Sequence, residues 1–376
     1  MRSATIIFIL IIFGCSKKNS DQPLYQPDTQ EIKLKYAEGF KINAMEDAKL
    51  VEITYPFQGA MTGHKYLLVQ KGHSVPAHDP ETKVINVPLN TIACTSTTHI
   101  PFLDYLGETN KLVGFTSTDY ISSEKMRARI DHGEVMELGS EKGINLEKLV
   151  TLKPDLLMGY SVSSDYGQFK KIEELGTPVI INAEYLEKHP LGRAEWIKFM
   201  ALFFNKEKEA DSIFQDIEKN YMTVKTLAQT TKNKPTVVTG IVYGDAWFLP
   251  GGQNYSAMIL KDAGCQYLWG EDQSNGFLQL SFETVYEKAH AVDLWIGVGS
   301  FTTLEEIKNA DERYANFKAF TTKHVYTYNA RIGAKGGSEY MELGYLRPDI
   351  ILKDLVKIAH PEALPDHQLY FHKKLE

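Results

Sequence analysis

The longest uninterrupted amphipathic stretch of the chain lies at residues 206–229. Its apolar side chains recur at steps of three and four residues, which places them on one stripe of an α-helix. These side chains are Ala210, Ile213, Phe214, Ile217, Tyr221, Val224 and Ala228. No proline or glycine interrupts the stretch, and the pattern predicts a helix roughly 35 Å long, enough to cross a small domain. An ordinary surface helix has the same pattern, so the flanking sequence must decide its role.

Two segments on either side of this helix follow one order of residue types. Residues 144–160 and 280–298 each contain a capping residue, an apolar residue, a glutamate, a short amphipathic turn, an aspartate and an apolar run. Asn145 and Ser281 are suitable N-caps, and the runs LLMGY and LWIGV are typical of buried parallel strands. We interpret the segments as a divergent internal repeat, one copy in each of two lobes. A stiff helix between two lobes predicts a cleft between them, where ligands usually bind.

The remaining pattern predicts the fold class. Residues 31–92 alternate apolar and polar side chains between turn residues, as in a small antiparallel sheet leading into a first core strand at 83–93. From residue 95 onward the pattern is α/β, so we predict two Rossmann-like lobes joined by one long rigid α-helix, with an N-terminal β-rich extension. The predicted segments are a signal peptide at 1–15, a tether at 16–30, the extension at 31–82, an N-terminal lobe at 83–205, the connecting helix at 206–229 and a C-terminal lobe at 230–376.

The first residues have the features of an export signal. Arg2 precedes an apolar run at 4–13 that is too short to cross a bilayer. The run ends in IFGC, which resembles the bacterial lipobox, and the polar residues 16–30 contain too few apolar side chains to fold. This resemblance implies acylation of Cys15 and an exported lipoprotein anchored to a membrane, facing the periplasm or the cell exterior. A plain secretory signal or a tail anchor is the alternative.

Composition narrows the possible partners. A net charge of −7 argues against a nucleic-acid partner, because nucleic-acid binding requires a basic surface. A hydrophobic content of 43% over 376 residues is sufficient for two cores. Cys94 and Cys265 fall in different predicted lobes, and no cysteine or histidine cluster has metal-site spacing. We therefore predict free buried thiols, no metal site and no cofactor.

An ordered set of motifs resembles the helical-backbone class (class III) of substrate-binding proteins that serve ABC importers. The motifs are NLEKLVTLKPDLLMGY, ELGTPVI, the helix at 206–229, WFLPGG, LKDAG and RPDIILKDLVKIAHPE. The class takes up iron–siderophore complexes, haem and cobalamin, and the resemblance covers about residues 83–372. It implies a binding protein and not an enzyme, with a small-molecule metal complex held in the cleft. The extension at 31–82 lies outside it.

The resemblance also implies that one glutamate on each lobe docks into basic pockets of the permease, which carries the ATPase subunits. The matching residues are Glu147 and Glu283. Each is predicted in the first turn of a helix, where the helix dipole favours a negative charge. Two such carboxylates held apart by a stiff helix would form a two-point contact for arginines. Glutamate is also common in first turns without any such role.

Ligand contacts are expected from the loops that follow the strands of both lobes. In the first lobe the candidates are Thr97, Thr98, His99, Asp119, Tyr120, Tyr160 and Tyr166. In the second lobe they are Trp247, Phe248, Phe277, Arg331 and Tyr340. Aromatic faces suit a flat corrin, haem or catecholate complex. His99 is interpreted either as an axial ligand to iron or cobalt or as a hydrogen-bonded loop residue. Arg331 suits an anionic group of the ligand or a cap on the preceding strand.

Two functions of other classes stay open at this point. One is a hydrolase or chelatase that uses the same cleft, although the sequence contains no GxSxG, HExxH or P-loop. The other is a surface-exposed capture lipoprotein without its own permease, which would not need the paired glutamates. A bare-metal binder is disfavoured because no set of histidines and carboxylates is evidently placed to converge on one ion.

Overall fold

A computed structural model describes residues 29–140, 143–162 and 166–376. Cys15, the predicted signal peptide and most of the predicted tether lie outside the described residues. Within the described ranges, no helix combines the length and the apolar character needed to cross a bilayer.

The N-terminal extension is a single sheet of five strands in chain order. The strands are β1 (Gln30–Ile32), β2 (Phe40–Ala44), β3 (Ala48–Ile53), β4 (His64–Gln70) and β5 (Lys83–Val87). The first four pair antiparallel, and β5 runs parallel to β4. The prediction of one strand at 83–93 is wrong, because β5 completes the extension sheet. Pro88 follows it at once, and proline has no amide hydrogen to continue a ladder.

Two buried glutamates fasten the extension to the first lobe. The carboxylate of Glu195, which is 0% exposed, accepts hydrogen bonds from the amides of Lys35 (3.0 Å), Tyr36 (2.7 Å) and Ala37 (2.9 Å). Glu187 similarly accepts from the amide of Gly39 at 2.8 Å. Each carboxylate supplies acceptors to a loop whose amides have no strand partner, so the extension is bonded to the lobe and is not a loose appendage.

The first lobe is a parallel five-stranded sheet with helices around it. Its strands are β6 (Ile92–Cys94), β7 (Leu112–Phe115), β8 (Met136–Glu137), β9 (Gly139–Ser140), β10 (Gly143–Ile144), β11 (Leu156–Gly159) and β12 (Val179–Ile181), and its helices are α1 (His99–Tyr105), α2 (Glu124–Asp131), α3 (Leu146–Leu152), α4 (Gly167–Glu174) and α5 (Pro190–Ala201). The sheet order is β12-β11-β6-β7-β8, and β9 and β10 form a separate hairpin. The Ser123 side chain caps the first turn of helix α2.

One long helix, α6 (Glu207–Gln229), connects the lobes over 23 residues. Its buried side chains are Ala210, Phe214, Ile217, Tyr221, Val224 and Ala228, which reproduces the predicted stripe except for the partly buried Ile213. The helix packs against α5 of the first lobe and against the last helix of the second. Its apolar stripe is therefore shared between the two lobes.

The second lobe repeats the α/β arrangement and adds a small antiparallel sheet. Its strands are β13 (Thr236–Thr239), β14 (Ile241–Tyr243), β15 (Ala246–Pro250), β16 (Gln266–Tyr267), β17 (Phe277–Leu280), β18 (Leu294–Ile296), β19 (Val325–Thr327) and β20 (Lys373–Lys374), and its helices are α7 (Tyr255–Asp262), α8 (Phe282–Ala289), α9 (Leu304–Ala310), α10 (Lys318–Thr321), α11 (Glu339–Leu343) and α12 (Pro348–Ala359). The main sheet order is β16-β13-β18-β19-β20, in which only β20 is antiparallel.

A second sheet begins directly after β13. Gly240, with φ at +75°, separates β13 from β14, and strands β14, β15 and β17 form this sheet. Trp247 lies within β15.

The internal repeat extends to matched side-chain contacts. In each lobe the strand of the repeat lies beside the first strand, β11 next to β6 and β18 next to β13. The Asp155 carboxylate accepts from the amides of Asn90 at 2.7 Å and Thr91 at 3.4 Å, and Thr91 Oγ1 accepts from the Asp155 amide at 3.0 Å. Asp293 and Thr236 make the same reciprocal pair, at 2.9 and 3.0 Å. The two copies therefore share the same pair of aspartate–threonine hydrogen bonds.

Both cysteines of the described chain are free. Cys94 is buried on β6, and Cys265 is half-buried between α7 and β16. Burial raises the pKa of both thiols, that of Cys265 to about 12. A thiol that stays protonated is a poor nucleophile and a poor metal ligand, so both cysteines act as small core side chains.

Substitution of Glu195 tests the attachment of the extension. In Glu195→Gln, an amide group replaces one of the oxygens that face three backbone donors, so we expect the free energy of unfolding to fall by about 2–4 kcal/mol. Amide exchange at Lys35, Tyr36 and Ala37 should accelerate. Urea denaturation and hydrogen exchange measure these effects, with Glu209→Gln, an exposed glutamate on α6, as the matched control. Equal stability of the two variants would contradict this role.

Candidate functional site

The largest cavity lies where the first lobe meets a loop of the second. Its volume is about 830 Å³, within the range of pockets that bury small-molecule ligands. The first lobe contributes residues at the carboxyl ends of its strands, at 95–97 after β6, 115–117 around the end of β7 and 160–162 after β11. The second lobe contributes Met341 and residues 336–338. Carboxyl ends of parallel strands are where α/β sheets usually bind ligands.

The cavity wall combines polar and apolar groups, and no charged side chain belongs to it among the described residues. Hydroxyl groups of Thr95, Ser96, Thr97, Thr116 and Ser117 lie on the first lobe, with the amide side chain of Gln168 nearby. Tyr120 and Tyr160, which are 48% and 42% exposed, add two large ring faces. In the described ranges, no group of three or more His, Cys, Asp or Glu side chains is placed to hold a metal ion. This lining suits an organic or metal-complex ligand with aromatic faces and hydrogen-bonding groups better than a bare cation.

The segment at 331–344, which includes helix α11, closes one side of this cavity against the first lobe. The Glu342 carboxylate accepts from the amides of Ser122 at 2.6 Å and Ser123 at 2.9 Å. Gly337 lies so close to the first lobe that an added Cβ would sit 2.0 Å from the carbonyl oxygen of Tyr120. Burial raises the pKa of Glu342 to about 7, against the opposing effect of the two amide donors. The lobes are therefore in direct contact across the cleft.

A second, smaller cavity of about 340 Å³ lies along the same interface, and Met341 lines both. Its wall includes Arg193 of α5, Tyr255 at the start of α7, and Phe277 and Tyr340. The Tyr340 ring also stacks on Tyr328, with ring centroids 4.9 Å apart.

The structure brings together only part of the predicted ligand set. Tyr120 and Tyr160 line the large cavity, together with Thr97, and Phe277 and Tyr340 line the small one. Asp119 is exposed and is absent from both walls.

Three further candidates point their side chains elsewhere. Tyr166 packs between Phe57 and His64, with ring centroids 5.5 and 5.3 Å away. Phe248 lies against Tyr243 on the small sheet, and the Arg331 guanidinium lies 4.1 Å over the ring of Tyr370. Each side chain thus has a packing partner outside the two cavities.

Two predictions are wrong because the side chains are fully buried. Trp247 is 0% exposed, donates to the carbonyl of Thr239 at 2.9 Å and stacks 5.5 Å from Trp295. His99 is also 0% exposed, so neither axial ligation nor a loop hydrogen bond describes it. Neither of its ring nitrogens has a hydrogen-bond partner in the described structure. Both residues belong to the core, where a ligand does not reach them.

Most of the polar residues that line the large cavity were not predicted from the sequence. Ser96 and Ser117 each follow a buried strand within two residues, and that position alone was a usable signal. Arg193, Tyr255 and Tyr345 carried no comparable signal, because they lie inside or beside helices. Their role follows only from the way in which the lobes meet.

Glu147 and Glu283 occupy matched positions in the repeat. Each is the second residue of its helix, behind the N-caps Asn145 and Ser281. Both are exposed, and Glu283 pairs with Arg313 at 2.9 Å. Helices α3 and α8 each lead directly into their strand, so their first turns lie at the carboxyl edge of the sheet. In the first lobe this is the edge that carries the large cavity.

Two lobes with parallel sheets, joined by one long helix, define a class III substrate-binding fold. Residues 92–332 match the periplasmic binding protein family, and the chain belongs to that family. The members of this family are binding proteins and not enzymes, which removes the enzyme alternative. The family acts outside the cytoplasm.

Comparison with individual proteins agrees with this assignment. An uncharacterized lipoprotein of Methanocaldococcus jannaschii is 28% identical over 96% of this chain and 90% of its own. A possible iron-binding (periplasmic solute-binding) protein of Staphylococcus epidermidis is similar over 73% of this chain and 100% of its own, with a TM-score of 0.56 at 16% identity. The periplasmic heme-binding protein RhuT of Roseiflexus sp. is similar over 73% of this chain and 99% of its own, with a TM-score of 0.54 at 17% identity.

The buried His99 gives a pH-dependent prediction. Burial lowers its pKa from 6.5 to about 3, so between these values the unfolded chain binds a proton that the folded chain does not. Stability should therefore be lost as pH falls from 6.5 toward 3. In His99→Leu this loss is absent, and the stability gain over the wild type should grow to about 3 kcal/mol near pH 4.

Urea denaturation at pH 7, 5.5 and 4 measures this difference. His132→Leu, at an exposed histidine, is the matched control and should show no such pH-dependent gain. A stability difference between His99→Leu and the wild type that stays constant with pH would contradict the buried neutral state of His99.

Proposed function

We propose that the protein is a lipid-anchored substrate-binding protein of an ABC importer, and that its cargo is an iron complex (siderophore or haem) or cobalamin. The observation that carries this proposal is the cavity of about 830 Å³ between the lobes, with Tyr120 and Tyr160 among hydroxyl groups. A chelated metal has its coordination sites occupied by an organic shell, so a binding protein can hold the complex through ring faces and hydrogen-bonding groups.

Anchoring and delivery complete the proposal. Acylated Cys15 would hold the protein at a membrane surface, and the polar residues that follow would act as a flexible tether. Glu147 and Glu283 would then meet basic pockets on the permease, one from each lobe. The relation to a lipoprotein of similar length supports the anchor, and the matched first-turn positions support the docking.

The cargo is tested by visible absorption. The full-length protein is incubated separately with haemin, a ferric catecholate siderophore and cobalamin, and each mixture is desalted and scanned. We expect one of the three chromophores to remain bound with a shifted spectrum. In Tyr120→Ala/Tyr160→Ala, loss of both ring faces should weaken that binding by about tenfold per ring.

Tyr243→Ala is the matched control, because this tyrosine is 81% exposed and absent from the lining of the large cavity. Retention of none of the three chromophores by the wild type would overturn the proposed cargo class. Unchanged affinity in the double variant would overturn the cavity as the binding site.

The docking role is tested by charge reversal in Glu147→Lys/Glu283→Lys. Two lysines would repel basic pockets, so we expect uptake of the bound cargo to fall at least about tenfold in cells that carry the importer. Affinity of the isolated protein for the cargo should not change. The exposed ion pair of Glu283 with Arg313 contributes little to stability, so folding should be preserved.

Glu124→Lys/Glu305→Lys is the matched control, since both are exposed first-turn glutamates of other helices, α2 and α9. A loss of cargo affinity in the Glu147/Glu283 variant would refute the docking role. Normal uptake would instead favour a capture lipoprotein that has no permease of its own.

A further inference from the structure

The smaller interlobe cavity is built by three parts of the chain. Gln58, from the loop between β3 and β4, brings the extension to its edge. Tyr185, Lys188 and Arg193 form the first-lobe wall, and residues 254–256, 275–277 and 340–345 form the second-lobe wall. Residues 54–63 lie outside the family match at 92–332, so this cavity includes a feature that the family core does not supply.

Arg193 is held rigidly at the centre of this wall. Its guanidinium lies 3.8 Å from the ring centroid of Tyr255 and 4.4 Å from that of Tyr345. Nε donates to the carbonyl of Glu187 at 3.1 Å and Nη2 to that of Tyr185 at 2.9 Å. Among the described residues Nη1 makes no hydrogen bond. A guanidinium fixed by four partners and left with one free donor edge is preorganised for an oxygen anion.

The hydroxyl group of Tyr255 lacks a partner. Tyr255 is 6% exposed, it lines the cavity, and its oxygen makes no hydrogen bond within the described part of the chain. A buried hydroxyl without a partner costs about 1–3 kcal/mol. The Tyr255 ring lies 3.8 Å from the Arg193 guanidinium, so an oxyanion bound at Nη1 would lie near this side chain and could accept a hydrogen bond from its hydroxyl group.

The remaining charges around the cavity also favour an anion. Helix α7 has eight residues and begins at Tyr255, so its positive end faces this wall together with the side chain of Ser256. Lys188 adds a second positive charge. The Glu187 carboxylate is committed elsewhere, since it accepts from the amide of Gly39 at 2.8 Å and from Nε1 of Trp196 at 2.9 Å.

We propose that this cavity is a second binding site, distinct from the large cleft, that takes the oxyanion group of a small molecule through Arg193 and Tyr255. A volume of about 340 Å³ admits a molecule of about the size of citrate. A carboxylate and a phosphate both present oxygen anions that accept such hydrogen bonds. Separate titrations with each anion distinguish between them. The site joins the extension to both lobes, so its occupation would stabilise their mutual arrangement.

Titration calorimetry on the full-length protein, without any metal complex, tests the site. Citrate and inorganic phosphate are titrated separately at constant ionic strength. Measurable binding of citrate assigns the site to carboxylates, and binding of phosphate assigns it to phosphates. No binding of either at 10 mM would overturn the proposal. Because no metal complex is present, this outcome is independent of the cargo of the large cleft.

Tyr255→Phe removes only the hydroxyl group and keeps the ring against Arg193. We expect about tenfold weaker oxyanion binding with unchanged or slightly higher stability, because an unpartnered buried hydroxyl is lost. Arg193→Gln should abolish binding. Tyr243→Phe, on the small antiparallel sheet, is the matched control. Unchanged affinity in Tyr255→Phe would overturn the assignment, and so would a loss of stability without a loss of affinity.

Discussion

The arrangement of the whole molecule depends on the burial of one helical stripe. Phe214, Ile217 and Tyr221 of α6 are almost fully buried, and the helix packs on α5 from one lobe and on α12 from the other. Burial of each large apolar side chain is worth roughly 1.5–3 kcal/mol, so bending or unwinding α6 would expose a continuous apolar surface on both lobes at once. The spacing of the lobes is therefore fixed by hydrophobic packing and not by their contact across the cleft.

The cleft contacts act within that fixed spacing. The hydrogen bonds of Glu342 to Ser122 and Ser123 are few and involve a carboxylate whose pKa is raised by burial. Such contacts are weaker than a helix core, so they suit a surface that adjusts around a ligand while the frame stays in place.

The internal repeat shows how far the two lobes preserve a common plan. In each of the pairs Asp155–Thr91 and Asp293–Thr236, at the start of the central strands, the carboxylate accepts from the threonine amide and the threonine hydroxyl oxygen accepts from the aspartate amide. The lobes differ in what surrounds these pairs. The first lobe carries the extension sheet, bonded through Glu195 and Glu187, whereas the second carries the small sheet around Trp247. The shared elements support the strands, and the added elements contribute Gln58 and Phe277 to the wall of the smaller cavity.

Local pattern was sufficient for the features that depend on neighbouring residues in the chain. The stripe of α6, the caps Asn145 and Ser281, and the α/β order of both lobes could be read from the sequence, because periodicity and capping act over a few residues. Position after a strand was also the signal for Tyr160, which follows β11 directly, and for Tyr120, which lies five residues after the end of β7, and both line the large cavity.

Tertiary structure alone decided the depth of each side chain and the partners it meets. His99 and Trp247 are residue types that often contact ligands. Both are buried because the helix and the strand that carry them direct these side chains into the core. Arg193, Tyr255 and Tyr345 are far apart in the chain and come together only where α5, α7 and the loop after α11 converge. Long-range contacts of this kind depend on how packed elements share a surface, and no short window of sequence encodes that geometry.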